Sequence, residues 1–155
     1  MIRRFLNHRL RRDNRGVAAV ELALALPILT VMALASIDFV LGFSYKMNLQ
    51  QYAQSGADFV VANGETSPTD SEVKTEVKAV SGLPETAITI TKWTECNRSK
   101  NTTTAYGSCP GASDEKANYM MVSVTDTYTP ILNLKGIADF VKATSLTGTA
   151  VVRIP

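Results

Sequence analysis

Two carboxylates inside an apolar stretch are the residues whose type and spacing point most directly to chemistry. Glu21 and Asp38 are the only charged residues within positions 17–45. A carboxylate at the bilayer centre costs about 2.5–3.5 kcal/mol on insertion scales, so each acid needs an interface or a positive partner. Glu21 stands five residues after Gly16, where the positive N-terminal end of a helix favours an anion. The chemistry that this pattern predicts is charge pairing between segments.

The elements that must position these acids begin with a membrane-spanning helix. Residues 17–45 exceed the roughly 20 apolar residues that span a bilayer. Six arginines and one acid precede this run, and positive charge beside a span stays in the cytoplasm. Glu21 and Asp38 lie about 25 Å apart along a helix, so each can reach an opposite interface. Pro27, between them, removes a backbone donor and predicts a kink.

The chain after the apolar run predicts a small extracytoplasmic domain of α+β class. An amphipathic continuation of the helix is expected over residues 46–63, where apolar residues recur at helical spacing and Asn63 and Gly64 form a stop. A domain over residues 64–155 follows, with an antiparallel sheet of three or four strands. The sequence predicts these elements: a short helix at Asp70–Val80 opened by a Thr69/Glu72 capping box, strands at Thr86–Thr94, Tyr119–Tyr128 and Thr144–Ile154, a polar loop over residues 97–108, and a short helix at Ile137–Val141.

The cysteines and the single histidine limit the possible chemistry further. Cys96 and Cys109 both follow the apolar run, so export of that part predicts one disulfide. Two thiols and His8, which lies in the basic leader, do not make a metal site. The motifs of serine hydrolases, phosphate loops, dinucleotide loops and zinc proteases do not occur. We therefore expect no enzyme and no cofactor. A basic N-terminus also suits nucleic acid, but here it directly precedes a span, and no nucleic-acid partner is predicted.

The junction from Arg15 to Glu21, a basic leader ending in glycine with glutamate five residues later, resembles the processing site of type IV pilins. Residues 16–64, with Pro27 and the pair Asp38-Phe39, resemble the N-terminal half of TadE-like pseudopilins of tight-adherence pilus systems. The resemblance implies a cytoplasmic leader at 1–16, cleavage between Gly16 and Val17 by a prepilin peptidase, and Glu21 in subunit assembly.

The partners implied by the resemblance are other pilin or pseudopilin subunits, the inner-membrane assembly machinery and lipid. The implied function is that of a minor pseudopilin needed for pilus biogenesis, adhesion and biofilm formation, anchored in the bacterial inner membrane with its C-terminal domain in the periplasm. The family commonly has glutamate where this chain has Asp38, and glycine where it has Val40. The first change keeps the charge, and the second weakens the expectation of close helix packing.

A conventional signal peptide is the main alternative. Ala33 and Ala35 precede Ser36 in the small-residue pattern that signal peptidase cuts, and residues 22–32 could serve as its apolar region. Cleavage there would release an exported or simply anchored domain that binds a ligand or partner. Replacing Glu21 separates the two hypotheses, because only pilin assembly requires that carboxylate.

Overall fold

The computed structural model describes residues 15–63, 68–102, 105–131 and 144–154. The predicted helix at Ile137–Val141, Gly64 and most of the basic leader lie outside the described residues. The elements in chain order are α1 (Arg15–Ala62), α2 (Asp70–Ser81), a 3₁₀ turn (Glu85–Ala87), β1 (Ile88–Cys96), β2 (Ser99–Lys100), β3 (Lys116–Tyr128) and β4 (Thr144–Ile154). The chain divides into two units, the first ending at Val40 and the second beginning at Leu41. The described part of the first unit is helical throughout.

The second unit contains an antiparallel sheet with the strand order β2-β1-β3-β4. This sheet, the short helix α2 and the long helix α1 confirm the predicted α+β class. The capping box at the start of α2 is present, with the Thr69 hydroxyl accepting from the Glu72 backbone N–H at 3.3 Å. Gly82 ends α2 in the left-handed conformation, with φ of 70°, which glycine adopts without a steric penalty.

The strand boundaries differ from the predicted ones at the first two strands. Residues 85–87 form a 3₁₀ turn, in which the Ala87 N–H donates to the Pro84 carbonyl at 2.9 Å, so β1 begins at Ile88 instead of Thr86. Pairing with β1 extends β3 back to Lys116, which lies opposite Cys96. Strand β4 (Thr144–Ile154), the third strand that the sequence predicts, has the predicted bounds.

A short strand interrupts the region predicted to be a polar loop. Asn97 and Arg98 both have positive φ, 53° and 64°, and turn the chain so that Ser99 pairs with Cys96. Two consecutive left-handed residues make the tight turn that matches the twist of a hairpin. The prediction missed β2 because the usual glycine is replaced here by Arg98.

The core lies between the inner face of the sheet and the two helices. Residues of α1 after Lys46 form an apolar stripe at helical spacing, and this stripe packs into the core. Gly56 allows close packing, since a Cβ there would lie 2.6 Å from Val77 and 3.1 Å from Val122. The buried apolar residues are Leu49, Ala53, Ala57, Val60, Val73, Val77, Ile88, Met120, Val122, Val124, Ala150 and Ile154.

A backbone contact fixes α1 against the edge strand β4. A Cβ on Gly148 would collide with the backbone of Leu49 and Gln50, so α1 approaches β4 at the distance that only glycine permits. The Gln50 side chain donates to the Thr149 carbonyl and accepts from the Thr149 N–H at 3.1 Å. This amide satisfies both backbone groups of a residue on an edge strand, which would otherwise be open to another strand.

The end of β3 contacts α1 at Tyr45, one helical turn before Leu49. The Tyr45 hydroxyl donates to Asp126 Oδ2, and the rings of Tyr45 and Tyr128 lie 5.7 Å apart. A Cβ on Gly42 would lie 3.3 Å from the Tyr128 ring, so the helix backbone also passes close to this aromatic side chain. Polar and aromatic contacts therefore continue the attachment of α1 beyond the apolar core.

Candidate membrane and assembly segment

The first unit exposes the apolar side chains that a soluble helix would bury. Val17 is 55% exposed, Leu24 72% and Ile28 65%, and the same holds for large apolar residues as far as Phe43. The segment is long and apolar enough to cross a membrane, judged by length and composition. A helix that is apolar all round requires a membrane or other apolar partners around it. The helix is consistent with a single-pass membrane anchor.

The hydroxyl groups of this segment are satisfied within the helix itself. Thr30 Oγ1 donates to the Leu26 carbonyl and Ser36 Oγ to the Met32 carbonyl, each at 2.8 Å. Such bonds remove most of the cost of placing a hydroxyl in an apolar surrounding. The helix continues through Pro27, and the kink predicted there stays a prediction.

The two acids of the helix differ in their surroundings. Glu21 is exposed, in a stretch where every described side chain from Gly16 to Ser36 is exposed as well. Asp38 is 9% exposed, although Ile37 and Phe39 beside it are 52% and 76% exposed. Of the two carboxylates, Glu21 is therefore the one that another molecule can reach.

Gly16 lies in open space at the start of α1. Among the residues that the structure describes, no heavy atom lies within 4 Å of a Cβ placed on Gly16, and its φ is not in the left-handed region. The described neighbours and the backbone conformation therefore do not require glycine at this position. The Gly16–Val17 bond lies in the first turn of α1, where glycine favours the helix less than alanine does.

The cysteine pair lies in the second unit, at the end of β1. Cys96 and Cys109 are at disulfide distance, with their Cα atoms 5.8 Å apart. The 13-residue separation closes a polar loop, and Asn97 at its start donates from Nδ2 to Asp114 Oδ1, beyond the loop, at 2.7 Å. Within the described ranges, no group of histidine, cysteine and acidic residues could hold a metal ion.

Two features of the second unit were not predicted from sequence. One is the contact between β4 and α1, in which Gly148 lies against the α1 backbone and the Gln50 side chain bonds to Thr149; an isolated glycine inside a strand pattern was an available signal for it. The other is a cleft of about 410 Å³ lined by Lys116, Asn118, Arg153 and Ile154. No sequence pattern identifies this cleft, because strand pairing brings the start of β3 beside the end of β4 from distant parts of the chain.

Comparison with known protein families shows one match. Residues 16–58 match the family model described as TadE-like protein, which confirms the resemblance seen in the sequence. No curated protein and no solved structure matches the chain. The family match begins at Gly16 and ends within α1, so it covers the candidate segment and stops before the sheet. It supports a protein associated with the tight-adherence pilus system.

Proposed function

We propose that this chain, TadE-like over residues 16–58, is a minor pseudopilin that supports biogenesis of a tight-adherence pilus used in adhesion and biofilm formation. Its role is structural and not catalytic. Helix α1 anchors it in the bacterial inner membrane, with the arginine-rich N-terminus in the cytoplasm and the sheet domain in the periplasm. The observation that carries the proposal is an exposed apolar helix that bears one accessible acid, Glu21, close to its N-terminus.

Removal of the leader after Gly16 by a prepilin peptidase is the first step of this proposal. A peptidase needs an extended backbone at the bond it cuts, and the bond between Gly16 and Val17 lies in the first helical turn. Glycine favours local unwinding there and lets the enzyme approach the backbone. No described residue lies within 4 Å of a Cβ at Gly16, which supports the idea that the peptidase, and not the packing of the described chain, requires glycine there.

Pairing of Glu21 with a new α-amino group is the second step. Cleavage would create a positive charge at Val17, one helical turn before Glu21. The same group on a neighbouring subunit could reach the exposed Glu21 carboxylate when apolar helices pack side by side. Such a pair would offset the cost of an acid in an apolar surrounding, about 2.5–3.5 kcal/mol, and would set the axial register of the two helices.

The mature N-terminus, measured by mass spectrometry on protein from the native host, tests the processing step. We expect Val17, and we expect Gly16→Ala to slow or block leader removal. Ala35→Leu is the matched control, because it spoils the alternative signal-peptidase site and leaves Gly16 intact. A terminus at Ser36 would mean a released domain, and an intact Met1 an ordinary signal anchor; either contradicts the proposed processing.

Replacing Glu21 tests the assembly step separately from processing. Glu21→Gln should leave the protein in the membrane but abolish its recovery with other pilin subunits and reduce the yield of sheared pili. Glu76→Gln, a change of the same kind on α2, is the control and should assemble normally. Wild-type assembly by the Glu21→Gln variant would show that the carboxylate does not set the register.

A further inference from the structure

Strand β3 runs beside α1 in the opposite direction, toward the start of the second unit. A Cβ on Gly56 would lie 3.1 Å from Val122, and a Cβ on Gly42 would lie 3.3 Å from the Tyr128 ring. The two glycines are 14 residues apart, which is about 21 Å of helix. Val122 and Tyr128 are six residues apart, which is about 20 Å of strand. Because the two lengths agree, Tyr128 at the end of β3 lies level with Gly42.

The apolar run of the sequence reaches the far border of a bilayer at the same position. The 20 residues that follow Glu21 end at Leu41, and they match a hydrocarbon layer of about 30 Å. Lys46, which is exposed, is the first cation after this run. Asp38, the acid nearest to the border, is 9% exposed and therefore largely shielded from lipid. A bilayer that begins beside Glu21 thus ends beside Gly42.

The end of the second unit at this position is aromatic and apolar, and its residues Phe43, Tyr45, Tyr128 and Ile131 are called the juxtamembrane end. The rings of Tyr45 and Tyr128 lie 5.7 Å apart. Phe43 is 60% exposed, and Ile131, three residues beyond the end of β3, is 70% exposed. Tyrosine is enriched at membrane–water borders, and transfer of exposed isoleucine and phenylalanine from water to lipid is favourable. This composition suits the border of a bilayer.

Most charged residues of the strands lie away from the juxtamembrane end. Those at the opposite end of the sheet are Glu95, Lys100, Lys116 and Arg153. Lys92 lies between the two ends, and Asp126 is the charged strand residue beside the juxtamembrane end. The Asp126 carboxylate accepts from the Tyr45 hydroxyl and, at 2.8 Å, from the Thr127 N–H. A carboxylate that already holds protein donors depends less on water. The strands are therefore polar at one end and compatible with lipid at the other.

We propose that the juxtamembrane end rests on the bilayer that α1 crosses, in the leaflet on the side of the sheet domain. Phe43 and Ile131 lie between the lipid headgroups and the acyl chains, and the tyrosine rings lie at the level of the headgroups. The charged end of the sheet then points away from the membrane and is open to other proteins. This inference rests on the part of the proposed function that places α1 in a membrane, and it requires neither processing at Gly16 nor pairing by Glu21.

Quenching of tryptophan fluorescence by nitroxide-labelled lipids tests the contact in the full-length protein. The protein is reconstituted in phosphatidylcholine vesicles with lipid in large excess, so that neighbouring chains do not cover the juxtamembrane end. Trp93 is the only tryptophan, so Trp93→Phe gives a background in which an introduced tryptophan is the sole emitter. We expect Ile131→Trp to lose more emission to lipids labelled near the headgroup than to lipids labelled at the end of the acyl chain.

Two further variants in the same background are the controls. Phe43→Trp reports whether α1 enters the bilayer at the expected depth, and it should be quenched. Val151→Trp replaces another exposed apolar residue, 55% exposed, and should keep its emission. Val151 lies opposite Met121, which is about 23 Å of strand from Tyr128. Circular dichroism verifies folding. If Trp93→Phe unfolds the domain, the same variants are measured with Trp93 retained, and the emission of the wild type is subtracted.

The outcomes separate this inference from the proposed function. Quenching of Phe43→Trp without quenching of Ile131→Trp would overturn the inference and leave the membrane anchor in place. No quenching of either variant would contradict the anchor as well as the inference. Equal quenching of Val151→Trp and Ile131→Trp would also overturn the inference, because the sheet would then lie flat on the lipid.

Discussion

Helix α1 is richer in apolar residues before residue 40 than after it, and its two parts have opposite environments. Leu24 is 72% exposed in the first part, whereas Leu49 is 1% exposed in the second, where it packs into the core with Val124. The first part presents apolar residues around the helix, and the second alternates them with polar residues such as Gln50 and Gln54. Apolar content and periodicity together therefore distinguish a helix that packs on its own domain from one that needs lipid or neighbouring subunits.

Leucine-to-alanine changes in the two parts give the largest expected contrast. Leu49→Ala should lower the free energy of unfolding of the sheet domain by about 2–5 kcal/mol, because it leaves a cavity in the core. Leu24→Ala should leave that free energy unchanged, since its side chain does not contact the core. Urea unfolding of the detergent-solubilised chain, followed by Trp93 fluorescence, measures both. Equal destabilisation by the two changes would show that the two parts do not differ as described.

Glycine-to-alanine changes sharpen the same comparison with a smaller effect. Gly148→Ala should destabilise the domain by about 1–3 kcal/mol, because its Cβ would overlap the backbone of Leu49 and α1 would have to move. Gly16→Ala should not affect domain unfolding, and its effect should fall on leader removal. Unfolding midpoints of the two variants provide the measurement. A normal midpoint for Gly148→Ala would mean that the helix does not approach β4 so closely.

The capping box of α2 gives the smallest expected effect and a dependence on pH. Thr69→Ala should cost about 1 kcal/mol of stability, as the Glu72 backbone N–H loses its side-chain acceptor. Bonds from the Thr69 backbone N–H and hydroxyl lower the pKa of Glu72 below its ordinary value of 4.5. Because the folded-state pKa is the lower one, this stabilisation is present above pH 4.5 and is lost as the pH falls through the folded value.

Unfolding midpoints measured between pH 7 and pH 3 test the capping prediction. The difference between wild type and Thr69→Ala should shrink over the acid part of this range. Thr75→Ala is the control, since its hydroxyl bonds only to the Ser71 carbonyl within α2. A pH-independent difference would contradict the role assigned to the Glu72 carboxylate.

Local patterns in the sequence were sufficient to predict most of the secondary structure. The capping residues of α2 and the alternation of β4 each act over a few neighbouring residues, and both predictions were confirmed. The predicted start of β1 was wrong because residues 85–87 form a 3₁₀ turn, and β2 was missed within the predicted polar loop because it depends on pairing with β1. The positions of Cys96 and Cys109 agree with the disulfide expected for an exported domain.

The sequence by itself determined the anchor and the candidate assembly residues, since Gly16, Glu21 and the apolar run are contiguous and act through helix geometry and charge. Tertiary structure alone decided the packing of α1 on β4 and the cleft at the start of β3 and the end of β4. Both features depend on the register of β3 with β4, which joins residues 16 to 36 positions apart, from Tyr128 and Thr144 to Asn118 and Ile154. That register follows from burying one face of every strand at once, a condition that no short stretch of sequence contains.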